Sequence, residues 1–472
     1  MGVLVSLALG ALVAAPAGAW AQPTTAFFGA NIQPLIEHAF VPPARWGSFI
    51  ATMSRDGLRT ARMDAIWWWA EPNTPTAQGP GFVWNAAHAS IDGLVRMLAV
   101  NHVRLSAVLD QGPSWATGMG TELAPAYYGD YAAFAAAFAA RYGVHGSFWH
   151  EHPRLPYLPV LDFEVWDEAN STSFWTGAPD VAAYAAVLAQ VSRAIHGVDP
   201  TATVLASIGW EGFQQYVAAL YGAGDGADID GIAFQPYAPD APGIIKLNEQ
   251  LRATLDSVGA ASTPIFDAES GQPVVASGAG ATYAYDGLVT DATRAATLSL
   301  AGDALARSDC GVDDDLVYGV TGSGTSLEPR NEGYMGIYSD TTDKPDLTGR
   351  ALITSARVWR GHQGRGIVLC AAGRTPARDL LALGVRLSRP GAACIAASVT
   401  YRGEPLEGAN IVLRTRDGRV APAATNAFGQ AQICLQSGPL IKQFTADAEI
   451  PNVARSPIYS CPVSLGACRR AR

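Results

Sequence analysis

Lysine is nearly absent from this chain of 472 residues: Lys246, Lys344 and Lys442 stand among 32 basic residues, against 42 acidic ones. The net charge of −10 leaves no basic face for nucleic acid and excludes that class of partner. Charged residues are sparse at 16%, but 49% are hydrophobic, enough for a sizeable core, which excludes disorder over most of the chain. Beyond residue 21 no run of about 20 uninterrupted apolar residues occurs, so no transmembrane helix is expected. No C-x-x-C spacing is present, which argues against zinc and thioredoxin-type redox chemistry. A P-loop and a G-x-S-x-G elbow are also missing, so nucleotide and serine-esterase chemistry have no support.

What is there divides by composition. Residues 1–21 form an apolar run ending Ala19-Trp20-Ala21, the A-x-A pattern of a cleaved export signal. Every Trp lies at or before Trp359, and every Cys at or after Cys310, which puts a boundary near residue 360. The expected division is 1–21 signal, 22–360 a first, Trp-bearing domain and 361–472 a linker and a second module. The six Cys (Cys310, Cys370, Cys394, Cys434, Cys461 and Cys468) suit an oxidising compartment, so the chain is expected to be secreted or periplasmic. Cys394 with Cys434, on two expected strands of one small domain, is the favoured pair among the combinations open to six Cys.

The first part alternates short apolar strands with Ala-rich amphipathic helices. Strands are expected at 27–32, 59–66, 103–109, 160–166, 203–207, 231–234, 264–267 and 316–320. Helices are expected at 46–55, 86–100, 131–142, 181–196, 213–221, 244–258, 292–306 and 347–358. Eight such units fit an α/β (β/α)8 TIM barrel. The alternative, a doubly wound sheet, would favour a Gly-rich loop after strand one, where Asn31-Ile32-Gln33-Pro34 stands instead. Residues from about 385 to 463 alternate strands with Gly/Pro turns, as a small all-β sandwich does. Their run G-E-P-L-E-G-A-N-I-V-L resembles bacterial immunoglobulin-like modules, which implies a spacer or a surface-binding unit.

A barrel keeps its chemistry at the C-terminal strand ends. Strand four ends Phe163-Glu164-Val165-Trp166-Asp167-Glu168-Ala169-Asn170, and strand seven ends Asp267-Ala268-Glu269-Ser270. Two carboxyls facing one another across a mouth are the minimum for glycoside hydrolysis, one protonated and one ionised. The segment F-E-V-W-D-E-A-N resembles the W-N-E-P-N signature of clan A glycoside hydrolases, with families 39 and 5 the nearest in pattern. The resemblance implies Glu168 as acid/base and Glu269 as nucleophile. It also implies Arg62 and Tyr237 as supports of the nucleophile. Asp167 stands where the clan has Asn, and Gln235 and Gln33 stand where it has His. No Trp follows strand eight, where Tyr318 and Thr321 are the nearest polar groups. These departures bear on the substrate more than on the reaction.

Substrate contacts are expected from Asn31, Gln235, Asp64, Trp67, Trp115, Trp175 and Trp210, since indole rings stack on sugar faces. Trp175 and Trp210 are the preferred cleft candidates. Glu164 is expected to be a buried charge partner. His145, His150 and His152, and Asp313-Asp314-Asp315, read as solvated loops, so neither metal nor cofactor is expected. The resulting expectation is a retaining glycoside hydrolase acting on a poly- or oligosaccharide, by resemblance β-linked. The alternative is a non-catalytic carbohydrate-binding or cell-surface protein on the same barrel.

Overall fold

The computed structural model describes residues 27–470 apart from several internal stretches, the longer being 275–288, 323–331, 361–369 and 435–442. The expected export signal and Cys468 lie outside the described residues. Eight parallel strands close into a barrel: β1 (Phe28–Asn31), β2 (Thr60–Ile66), β3 (Arg104–Asp110), β4 (Asp162–Val165), β5 (Thr203–Gly209), β6 (Gly231–Gln235), β7 (Ile265–Ser270) and β8 (Val312–Val317). Each pairs with its neighbours in sequence, and β8 pairs with β1. The strands are buried on both faces, as a parallel sheet under helices requires; β2 is buried at every position.

The helical layer comprises α1 (Pro43–Asp56), α2 (Ile91–Val100), α3 (Tyr128–Tyr142), α4 (Val181–His196), α5 (Phe213–Gly222), α6 (Ala241–Ser257), α7 (Asp291–Leu305) and α8 (Leu347–Arg360). Side-chain caps start several of them. Ser90, Asp180, Asp240 and Thr290 accept from the first free N–H groups of α2, α4, α6 and α7. α2 begins five residues later than expected from sequence, because Asn85–Ala86 and Ala89–Ser90 pair as two short strands before it.

Strand eight departs from expectation more sharply. It spans Val312–Val317 rather than 316–320, and the Asp run lies inside it. Asp314 and Asp315 are buried, not solvated. Asp is depleted in strands in general, but here Arg104 approaches Asp314 at 3.8 Å, and Asp315 packs against Gly302 of α7.

The C-terminal region forms separate, mostly antiparallel sheets. One holds β9 (Leu381–Leu387), β10 (Cys394–Tyr401) and β13 (Gln430–Cys434). The other holds β11 (Asn410–Thr415), β12 (Val420–Ala424), β14 (Gln443–Ile450) and β15 (Tyr459–Pro462). Alternate residues face one shared core, among them Leu381, Leu383 and Val385, Ile411 and Leu413, and Phe444, Ala446 and Ala448. The favoured pair Cys394–Cys434 is a disulfide, at directly opposed positions of β10 and β13. A second disulfide joins Cys310, just before β8, to Cys370. No helix among the described residues is long and apolar enough to cross a membrane.

Candidate active site

The site grows from residues that share the inner face at the C-terminal ends of the strands. Arg62 on β2 is buried, and its guanidinium is shared by three carboxylates. Nε and Nη2 donate to the two oxygens of Glu164 at 2.7 and 2.9 Å, Nη2 donates to Asp167 at 2.9 Å, and Nη1 donates to Glu269. A planar fork of five donors suits this task in a way an ammonium would not. Burial works against the charge on Arg62, but Glu164, Glu269 and Asp167 outweigh it and hold the guanidinium well above its ordinary value.

Glu269 on β7 accepts from three further elements. Besides Arg62, Asn31 Nδ2 at the end of β1 donates to Oε1 at 2.9 Å, and Tyr237 OH beyond β6 donates to Oε2 at 2.9 Å. Both oxygens are thus oriented. Burial pushes the Glu269 carboxyl up to about 8; Arg62 opposes this, Asp167 adds to it, Tyr237 opposes and Glu164 adds.

Strand β4 ends in a turn that carries Glu168. Trp166 and Glu168 both adopt positive φ, 64° and 36°, a costly backbone for side chains of this size. The turn is held by bonds to the neighbouring strand. Glu168 N donates to Ser207 Oγ at 3.0 Å, and Ser207 Oγ donates to Glu164 at 2.6 Å. Asn170 bonds both the N–H and the carbonyl of Gly209, at 2.7 and 2.8 Å. The Glu168 carboxyl then lies over Gly209, where a Cβ would stand 2.7 Å from Oε1, so a side chain at that position of β5 would displace the carboxyl.

Of the residues expected from sequence, Glu269, Arg62, Asp167, Tyr237, Gln235 and Asn31 form one bonded cluster. Gln235 donates to Asp167 at 2.7 Å, so its amide and Arg62 fix the same oxygen. Glu164 is the buried charge partner expected. Asp64 lies beside the cluster and accepts from Gln33 and Gln111, each at 2.9 Å. Two tryptophans need correction as substrate contacts. Trp175 is 1% exposed, packed edge-on against Trp166 and Tyr184, and Trp67 is fully buried against Trp115, Tyr131 and Phe134. Both close the core above the barrel. Trp115 and Trp210 are half-buried, the latter packed beside Tyr237, Tyr318 and Met335, and Trp68 is 40% exposed. Ser207, Asn170 and Gln111 were not anticipated; the one available sign was a polar residue at or just beyond a strand end.

No family model matches the chain, and no curated protein matches it in sequence. Solved structures do match. A glucosidase from Croceicoccus marinus aligns with a TM-score of 0.51 at 14% identity, over 89% of this chain and 95% of that one. A family 39 β-xylosidase from Caulobacter crescentus aligns with a TM-score of 0.51 at 17% identity, over 84% and 83%. A family 39 enzyme from Xanthomonas axonopodis pv. citri gives a TM-score of 0.51 at 14% identity, over 88% and 93%. The chain therefore shares its fold with glycoside hydrolases of family 39 and other members of clan A.

Proposed function

We propose that this chain is an exported retaining O-glycoside hydrolase acting on a β-linked poly- or oligosaccharide. The observation that carries the reading is Glu269, a strand-end carboxyl gripped by donors from three elements while a second carboxyl, Glu168, is set by the strained end of β4. Glu269 attacks the anomeric carbon as Glu168 protonates the departing oxygen. Glu168 then takes a proton from water, which releases the sugar from Glu269 with its configuration retained. Arg62 and Tyr237 favour the ionised nucleophile, and Asn31 fixes its orientation. Asp167, tied to Arg62 and Gln235, stands beside the acid as a hydrogen-bond acceptor for a sugar hydroxyl. The fold relatives include a glucosidase and a β-xylosidase, enzymes of the same reaction class. Two disulfides suit the oxidising envelope or exterior in which such a substrate is met.

The test is reducing-end release from a panel of glycans, followed by proton NMR of the first-formed anomer. Retention of configuration supports the reading. Inversion overturns the double displacement. No release from any glycan favours the non-catalytic carbohydrate binder.

A further inference from the structure

We propose that Ser207 is a positioning residue for Glu168: its hydroxyl fixes the backbone that carries the acid/base carboxyl and couples it to the cluster that holds Glu269. The proposal rests on the glycosidase reading above. Ser207 lies on β5 and is fully buried. A backbone N–H can only donate, so the bond from Glu168 N at 3.0 Å uses a lone pair of Ser207 Oγ. The hydroxyl proton is left for Glu164, whose Oε1 accepts it at 2.6 Å. The same Oε1 accepts from Arg62 Nη2 at 2.9 Å, and Arg62 Nη1 donates to Glu269. An unbroken line of hydrogen bonds therefore runs from the peptide of Glu168 through Ser207, Glu164 and Arg62 to the Glu269 carboxylate.

The main chain of Ser207 holds the end of β4 as well. Its carbonyl accepts from Ala169 N at 3.2 Å. Its N–H donates to Tyr184 OH at 2.9 Å, and that hydroxyl donates to the Val165 carbonyl at 2.8 Å. Those main-chain bonds do not depend on the side chain at 207, whereas the bond to Glu168 N does. Gly209, two residues on and so on the same face of β5, leaves the space over which the Glu168 carboxyl lies. Residue 168 has a φ of 36°, a conformation kept only where its surroundings over-determine it. Removing the Ser207 hydroxyl takes away one of those constraints and lets the backbone relax, carrying the carboxyl off its seat. Glu164 keeps both bonds to Arg62, and Glu269 keeps Arg62, Asn31 and Tyr237. The damage therefore falls on proton transfer by Glu168 and not on attack by Glu269.

The experiment uses two β-glycosides of the sugar that wild type releases from the glycan panel, one with a 2,4-dinitrophenyl and one with a benzyl leaving group. Dinitrophenolate departs without a proton, whereas benzyl alcohol needs one from the acid. The value of kcat/KM, which reports the first displacement, is measured for wild type, Ser207→Ala, Ser207→Thr and Glu168→Ala. Ser207→Ala is expected to lose about thirtyfold or more on the benzyl glycoside and less than about threefold on the dinitrophenyl one, a weaker form of the split in Glu168→Ala. Ser207→Thr keeps the hydroxyl and should bring the ratio of the two substrates back towards that of wild type. If Ser207→Ala fails to fold, Ser207→Cys takes its place, since a thiol is a weaker donor and acceptor. Equal losses on both substrates, or no loss on either, beside a split in Glu168→Ala, overturn the proposal and leave the glycosidase reading intact. No release by wild type, or no split in Glu168→Ala, sinks the glycosidase reading and this proposal with it.

Discussion

Two groups of buried acids stand in this barrel, and they are treated in opposite ways. At the mouth Glu164, Asp167 and Glu269 share Arg62, and each also receives a named hydroxyl or amide donor. On β7 and β8, Asp267, Asp314 and Asp315 are as deeply buried, yet neither oxygen of Asp314 has a hydrogen-bond partner among the described residues. Arg104 serves Asp162 at 2.5 Å and reaches Asp314 only at 3.8 Å. Burial pushes Asp314 and Asp267 well above the usual carboxylate range and Asp315 up to about 7. The mouth carboxyls are held in place by several donors each, whereas those of β7 and β8 are buried with few.

Breaking the mouth should do the greater damage. Arg62→Leu leaves three buried carboxylates without their shared cation, a loss of about 3–5 kcal/mol or more. Urea titration should show it well below Arg104→Leu, whose side chain is 19% exposed. Equal losses would erase the distinction between the two groups. The same division runs through the tryptophans. Trp175→Ala should cost about 3–5 kcal/mol of stability as a core truncation. Trp210→Ala should leave stability within about 1 kcal/mol and raise KM for the released glycan.

The acids of β7 and β8 sharpen the comparison through pH. Their folded pKa values are raised, so the folded state binds more protons than the unfolded chain between the ordinary Asp value of 3.8 and about 7 for Asp315. Stability from this source is full below 3.8 and is lost as pH rises through 7. Glu269 acts in the same direction from 4.5 to about 8. The melting temperature should therefore fall between pH 5 and pH 8, and Asp315→Asn should flatten part of that slope. A melting temperature that rises across this interval would contradict the assignment.

The barrel was legible because its strands are short apolar runs and its helices Ala-rich, so the alternation survives without any single decisive residue. The cluster of Arg62, Tyr237 and Glu269 could be sought in the sequence because Glu269 closes a hydrophobic strand and the clan resemblance singles out Arg62 and Tyr237 as its partners; the structure bonds both to Glu269. Ser207, Asn170 and Gln111 carry no periodic signal; their roles exist only once β4 lies beside β5 and β2 beside β3. The Asp run of β8 was misread for the same reason. Composition says turn, and only partners from β3 and α7 make room for it inside. Trp175 and Trp210 look alike in sequence, and Tyr184 of α4 is what turns the first into core.

The assignment of Glu269 as nucleophile is tested most directly by peptide mapping after labelling with a 2,4-dinitrophenyl 2-deoxy-2-fluoro-β-glycoside of the sugar that the protein releases. The expected result is one added sugar, located on Glu269, formed faster as pH rises through about 8 and absent in Glu269→Gln. A label on any other residue, or wild-type protein left unlabelled while it releases sugar from a glycan, would contradict it.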